Sequence, residues 1–197
     1  MISEEIRCSW CLGDADYTHY HDKEWGLPLK NSPKLFEFLI LDGAQAGLSW
    51  LTILKRREGY RLAFDGFDPE KMARYGEKDV ARLLGDGRII RNRLKIRSAI
   101  GNARAYCEME DAGENFSKWL WNWVDGKPIV NHWKTLKEIP PSTELSERIS
   151  RELKKKGFTF VGPTIIYAFM QAAGFVNDHL VDCYRWGAVQ TRGKHAK

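Results

Sequence analysis

Lys154-Lys155-Lys156-Gly157-Phe158-Thr159-Phe160-Val161-Gly162-Pro163-Thr164 separates two stretches of helical pattern, and the turn it makes decides how the chain folds. The first stretch closes with lysines and then Gly157. Cations complement the C-terminal end of a helix dipole, and glycine tolerates the left-handed conformation just past the last turn. The second stretch opens with Gly162 and Pro163, and proline suits the first helical turn, where an N–H is not needed. Between them, Phe158, Phe160 and Val161 offer apolar anchors for a tight turn. This is the layout of a helix-hairpin-helix. The free N–H groups at the start of its second helix can hold a nucleic-acid phosphate without reading sequence, which makes Gly157, Gly162 and Thr164 candidate DNA contacts. The alternative is a plain helix–helix connection stiffened by aromatics.

Moving outward, the apolar residues mostly recur at helical spacing. Leu35, Phe36, Leu39 and Ile40 form a stripe after Ser32-Pro33, read as a cap followed by a first-turn proline. One helix is expected to open at Ser49 and to carry Trp50, Ile53, Leu54, Tyr60 and Phe64. Others are expected from Pro69 to Met72, Asn92 to Met109, Asn115 to Val124, Thr143 to Lys156 and Pro163 to Ala173. Asp42-Gly43 and Asp65-Gly66 read as helix ends, because no strand pattern flanks them. No convincing strand emerges. The expectation is an all-α bundle of about eight helices in one domain over residues 1–197.

The composition agrees with a globular chain, with 43% hydrophobic and 12% aromatic residues. No apolar run is long enough for a membrane span, and the stretch from Met1 to Arg7 lacks the basic-then-apolar order of a signal peptide. A cytoplasmic protein with no membrane partner is expected. The net charge of +5 favours a polyanionic partner without proving one. Arg91 to Arg97 and Lys55-Arg56-Arg57 are basic stretches open to phosphate contact, although a solvated helix face explains each equally simply.

The four cysteines are Cys8, Cys11, Cys107 and Cys183. In a cytosolic chain they are thiols or metal ligands sooner than disulfides. Cys8 and His21 near the start, with His179 and Cys183 near the end, make a candidate Cys2His2 set. The four-residue step from His179 to Cys183 suits one helical face. Tetrahedral zinc takes such ligands, and four protein donors make the metal structural. Cys11 and His19 are rival ligands, and burial of the cysteines as small apolar residues is the bland alternative. Tyr17, Tyr20, Trp25 and Trp50 gather in the first fifty residues beside Asp22, Glu24 and Asp42. An extrahelical base needs such flat surfaces and edge-bonding groups, though most aromatics simply fill cores.

Taken in order, Cys8-Ser9-Trp10, Tyr20-His21-Asp22-Lys23-Glu24-Trp25-Gly26 and Gln45-Ala46-Gly47-Leu48-Ser49-Trp50 resemble the 3-methyladenine DNA glycosylase I family. So do Ile89-Ile90-Arg91-Asn92-Arg93-Leu94-Lys95-Ile96, Gly157-Phe158 through Tyr167-Ala168-Phe169-Met170-Gln171, and Val176-Asn177-Asp178-His179. The similarity runs through nearly the whole chain. It implies a helix-hairpin-helix DNA glycosylase fold with one structural zinc per chain. Cys8, His21, His179 and Cys183 would hold that zinc and join the N- and C-terminal segments. It implies a base pocket of Tyr17, Tyr20 and Trp50, with Asp42 and Tyr20 acting on the base. The implied reaction is monofunctional hydrolysis of the N-glycosidic bond of 3-methyladenine in alkylated double-stranded DNA, releasing free 3-methyladenine from a monomeric enzyme.

Three positions depart from the family pattern. Asp42 stands where glutamate is usual, which sets its carboxylate about 1.5 Å further back on covalent geometry. Ala44 replaces a larger polar residue, and Arg88 replaces a frequent glycine. In many helix-hairpin-helix glycosylases a Val-Asp-x-His string supplies a catalytic carboxylate. Here the matching residue is Asn177, as is typical of this family, and no lysine replaces it by motif. Asp42 is expected to be ionised beside a cationic base, with Asp22 and Glu24 as structural acids. The substitution at Asp42 leaves two alternatives open: a glycosylase for another N-alkyl purine, or a catalytically impaired DNA-binding homologue.

Overall fold

The computed structural model describes residues 5–192. The ends of the expected 1–197 domain, with Met1 to Glu4 of the N-terminal reading, lie outside the described residues. The helices are α1 (Ala15–Lys23), α2 (Ser32–Gln45), α3 (Trp50–Leu54), α4 (Arg57–Ala63), α5 (Pro69–Ala73), α6 (Glu77–Gly85), α7 (Arg93–Asp111), α8 (Phe116–Asn122), α9 (Glu144–Lys155), α10 (Pro163–Ala172) and α11 (Tyr184–Arg192). No helix among the described residues is long and apolar enough to cross a membrane.

The caps do what their residue types dictate. The side chains of Ser49, Asn92, Asn115 and Thr143 each accept a backbone N–H in the first turn of α3, α7, α8 and α9. At α2 the cap is Asn31, one residue before the expected Ser32. The single helix expected from Ser49 is two, because the Arg56 amide turns back early onto the Ile53 carbonyl at 3.0 Å. Two further expectations, the absence of strands and a helix end at Asp42-Gly43, also fail. Ile129–Val130 (β1) and Val176–Asn177 (β2) pair in parallel, a bridge too short to leave an alternating pattern. Asp42 and Gly43 lie inside α2 rather than at its end, and a Cβ at Gly43 would sit 3.4 Å from the Phe160 carbonyl. The glycine packs against the hairpin at ordinary contact distance, inside a helix that the short polar pair mimics as a stop.

The hairpin forms as expected. α9 ends with the Gly157 amide on Lys154 and the Phe158 amide on Leu153, both at 3.0 Å, with Gly157 at φ +89°. Phe158 and Val161 are buried, and the Val161 carbonyl accepts from Ser150 at 2.6 Å. α7 holds the turn from below. Asn102 bonds both the amide and the carbonyl of Thr159, at 2.8 and 3.0 Å, and Ser98 adds a bond to the same carbonyl. One turn earlier on the same face, Lys95 donates to the carbonyls of Ala44 and Ala46 at 2.8 and 2.6 Å, closing the end of α2. A single helix face thus sets the hairpin and the helix bearing Asp42 relative to each other.

Candidate active site

A cleft of about 230 Å³ opens between α1, α2, α3 and α10. Its lining includes Tyr17, Tyr20, Asp42 and Trp50, with Trp25 from the same aromatic group singled out in the sequence, and also Trp10, Ala168 and Gln171, which were not placed there. Trp10 sits in the 3-10 turn Ser9–Cys11 and meets Tyr17 edge-on at 4.9 Å and Trp25 at 5.0 Å between ring centroids. Tyr20 and Trp50 are tilted rings 5.4 Å apart. Such walls grip a flat ring by its faces.

Two buried polar atoms in this lining have no hydrogen-bond partner: Asp42 Oδ2 and Trp50 Nε1. Buried polar groups are nearly always satisfied, so a matched pair of orphans beside an aromatic slot marks a place for a polar-edged ligand. Burial pushes the Asp42 carboxyl well above its ordinary range. The sequence expectation of an ionised Asp42 is therefore corrected for the protein by itself, because no cation of the chain compensates that charge. Burial, and then the Asp42 charge, likewise raises the Tyr20 phenol well above its ordinary range. Glu24 and Asp22 are structural, as expected. Glu24 takes a two-pronged bond from Arg57 at 2.5 and 2.8 Å. Burial works to raise Asp22, but hydrogen bonds from Arg7 and His21 hold it down to about 2. Asn177 is buried away from the cleft lining, with its amide on the Trp186 carbonyl at 2.9 Å. Arg88 is engaged by Asp86 at 2.7 Å.

Beside the cleft, Cys8, His21, His179 and Cys183 converge. Their ligand atoms all lie within 4.8 Å of one another and all four residues are buried, so the group can hold a metal ion. The rivals do not join it, since Cys11 Sγ bonds the Cys8 carbonyl at 3.1 Å and His19 is exposed. His179 and Cys183 do not share a helix face, as their spacing suggested. They flank the turn that leads into α11. His21 Nδ1 bonds Asp22 at 2.8 Å, which turns Nε2 toward Cys183 Sγ at 3.5 Å. His179 Nε2 bonds the Trp25 carbonyl at 3.3 Å, which turns Nδ1 toward Cys8 and Cys183 at 3.9 and 3.7 Å. Outer partners of this kind fix the tautomer in which each imidazole offers a lone pair inward. Gly26 keeps the approach open, at φ +77°, since a Cβ there would lie 2.9 Å from His179 Nε2.

A helix-hairpin-helix scaffold, a ring-walled slot with unmet polar atoms and a net positive charge are the features of a protein that handles single bases of nucleic acid. The family model for methyladenine glycosylase matches residues 10–186, and the chain belongs to that family. It is 55% identical to DNA-3-methyladenine glycosylase 1 of Escherichia coli strain K12 over 90% of this chain and 95% of that protein. Among solved structures it resembles a crystal structure of 3-methyladenine DNA glycosylase I, with a TM-score of 0.90 and 51% identity over 91% of this chain and 98% of the other. It also resembles the Staphylococcus aureus enzyme in a structure described as the basis of 3-methyladenine recognition, at a TM-score of 0.88 and 39% identity over 90% and 95% of the two chains.

Proposed function

We propose that this chain is a monofunctional DNA glycosylase that hydrolyses the N-glycosidic bond of 3-methyladenine in alkylated duplex DNA. The observation that carries the reading is the pair of buried, unpartnered atoms, Asp42 Oδ2 and Trp50 Nε1, in an aromatic slot beside a phosphate-ready hairpin.

The substrate base is cationic and leaves neutral. The bond from C1′ to the base breaks, its electron pair cancels the base's charge, and water adds its oxygen to C1′ and gives a proton to solvent. Such a leaving group is already activated, so no strong general acid is required, and Asn177 in place of a carboxylate is no obstacle. The protein's task is to extrude the nucleotide and hold it. Tyr17, Tyr20 and Trp50 stack the cation by their π faces. Asp42, reluctant to ionise in the protein alone, takes up charge when the cationic base lies beside it, and Tyr20 completes that wall. Gly157, Gly162 and Thr164 hold the DNA backbone at the start of α10, whose first N–H groups have no intrahelical acceptor.

Zinc is the metal that suits the Cys2His2 group. With zinc bonds of about 2.0–2.1 Å to nitrogen and 2.3 Å to sulfur, tetrahedral N and S ligands stand about 3.6 Å apart. The N···S separations of 3.5, 3.7 and 3.9 Å fit that geometry. Two thiolates cancel the ion's charge, and the ion supplies structure rather than chemistry. A single domain, acting as a monomer in the cytoplasm, completes the proposal.

The test is incubation of the purified protein with methylated duplex DNA and chromatography of the released bases. Free 3-methyladenine is the expected product. DNA binding without base release would identify an impaired homologue, and release of another N-alkyl purine alone would move the lesion assignment.

A further inference from the structure

Gln171 lines the cleft from α10, and its Nε2 donates to Asp178 Oδ2 at 2.8 Å. Asp178 is 1% exposed and already full of donors. Asn131 and Trp133 donate to Oδ1 at 2.7 and 2.9 Å, and the Tyr167 hydroxyl donates to Oδ2 at 2.7 Å. A carboxylate offers only acceptors, so the end of the Gln171 amide that meets it is the NH2. That settles an orientation which an amide in open solvent leaves free. The amide oxygen is then the group that Gln171 brings to the cleft.

We propose that Gln171 Oε1, oriented by Asp178, is the specificity element that selects a purine with an amino group at C6 and rejects one with an oxygen there. The inference rests on the glycosylase reading and deepens it. The exocyclic amine of adenine carries two N–H donors, and one pairs with a fixed acceptor. The O6 of guanine or hypoxanthine would set lone pair against lone pair, with no rotation of Gln171 to relieve it, because turning the amide would strip Asp178 of a donor. Sites built on fixed polar groups discriminate far more strongly than apolar pockets do. The four donors on Asp178 are thus more than core packing: they hold a reading head still.

The test compares two free bases, 3-methyladenine and 3-methylhypoxanthine, which differ in the 6-oxo group and the N1 proton that accompanies it. Affinity is read by quenching of the cleft tryptophans in wild type, Gln171→Leu and Gln171→Glu. Wild type is expected to favour 3-methyladenine by about 100-fold or more. Gln171→Leu is expected to weaken 3-methyladenine about tenfold while leaving or improving 3-methylhypoxanthine, so the ratio collapses. Gln171→Glu, which must share a proton with Asp178 and still presents a carbonyl oxygen, is expected to keep the ratio within about threefold of wild type. Equal losses for both bases in Gln171→Leu, no loss for either, or a Gln171→Glu ratio as low as that of Gln171→Leu each overturns the assignment. Failure of wild type to bind 3-methyladenine at all would instead overturn the glycosylase reading.

Discussion

His179 stands edge-on to the Trp25 indole, with ring centroids 4.6 Å apart and planes at 84°, while its Nε2 bonds the Trp25 carbonyl. One imidazole thus belongs to the buried Cys/His group and packs against Trp25, which lines the cleft. His21 extends the link, edge-on to Trp10 at 5.4 Å. Metal retention and base recognition are therefore expected to fail together.

Elemental analysis should find one zinc per chain, and exhaustive chelation should lower both the melting temperature and the affinity for free 3-methyladenine. Asp22→Asn, which weakens the orientation of His21, should reduce metal affinity about 10- to 100-fold. Unchanged base affinity in fully metal-free protein would separate the cluster from the cleft.

Asp42→Asn should cut base release about 10- to 100-fold, the worth of a hydrogen bond to a charged group. It should also stabilise the fold at neutral pH. A carboxyl raised above its ordinary value of 3.8 binds protons more tightly folded than unfolded, so stability declines as pH climbs from that value toward the raised one. The asparagine variant lacks this decline. Its melting temperature should exceed that of wild type at pH 7, by about 2–4 °C per kcal/mol, and the gap should close as pH falls toward 4. Asp42→Glu restores reach and should raise activity; calorimetry and single-turnover assays test both.

Thr164→Glu places an anion among the first amides of α10. DNA affinity should fall about fivefold or more, and free-base affinity should stay within error. Fluorescence anisotropy against salt reads the first and tryptophan quenching the second. Parallel losses would mean that the hairpin is not the phosphate grip.

Asn177→Asp tests whether a carboxylate at that position would help. The side chain is 2% exposed, donates to the Trp186 carbonyl and accepts from the His179 amide at 3.3 Å. A carboxylate would face that carbonyl with no proton to give, so the change should cost about 1–3 kcal/mol of stability and yield no gain in release. A faster enzyme would contradict this.

Much of the scaffold is legible in the chain because α2, α7 and α9 carry apolar stripes and side-chain caps, and α10 an apolar stripe after Gly162-Pro163. α1 is not: its sequence Ala-Asp-Tyr-Thr-His-Tyr-His-Asp-Lys buries only Tyr20 and His21, too little for a periodic signal. The four converging Cys and His residues are readable by residue type, yet the turn before α11 brings His179 and Cys183 together where the spacing suggested a helix. Trp10 and Gln171 show where sequence reasoning stops. Trp10 reaches the cleft edge-on to Trp25, and Gln171 reaches it while bonded to Asp178 across the turn that follows α10, contacts that no periodic pattern encodes. Trp10 had one available signal, its place between Cys8 and Cys11 in a stretch full of aromatics. Gln171 had none.

The four Cys/His ligands draw on both extremities, with Cys8 and His179 171 positions apart. Every aromatic residue of the slot lies within the first fifty positions, whereas His179 and Cys183 lie far along the chain. A polypeptide interrupted before Cys183 would carry all of these rings and lack one of the four residues that converge beside them, so a shortened product is expected to be the more readily degraded one.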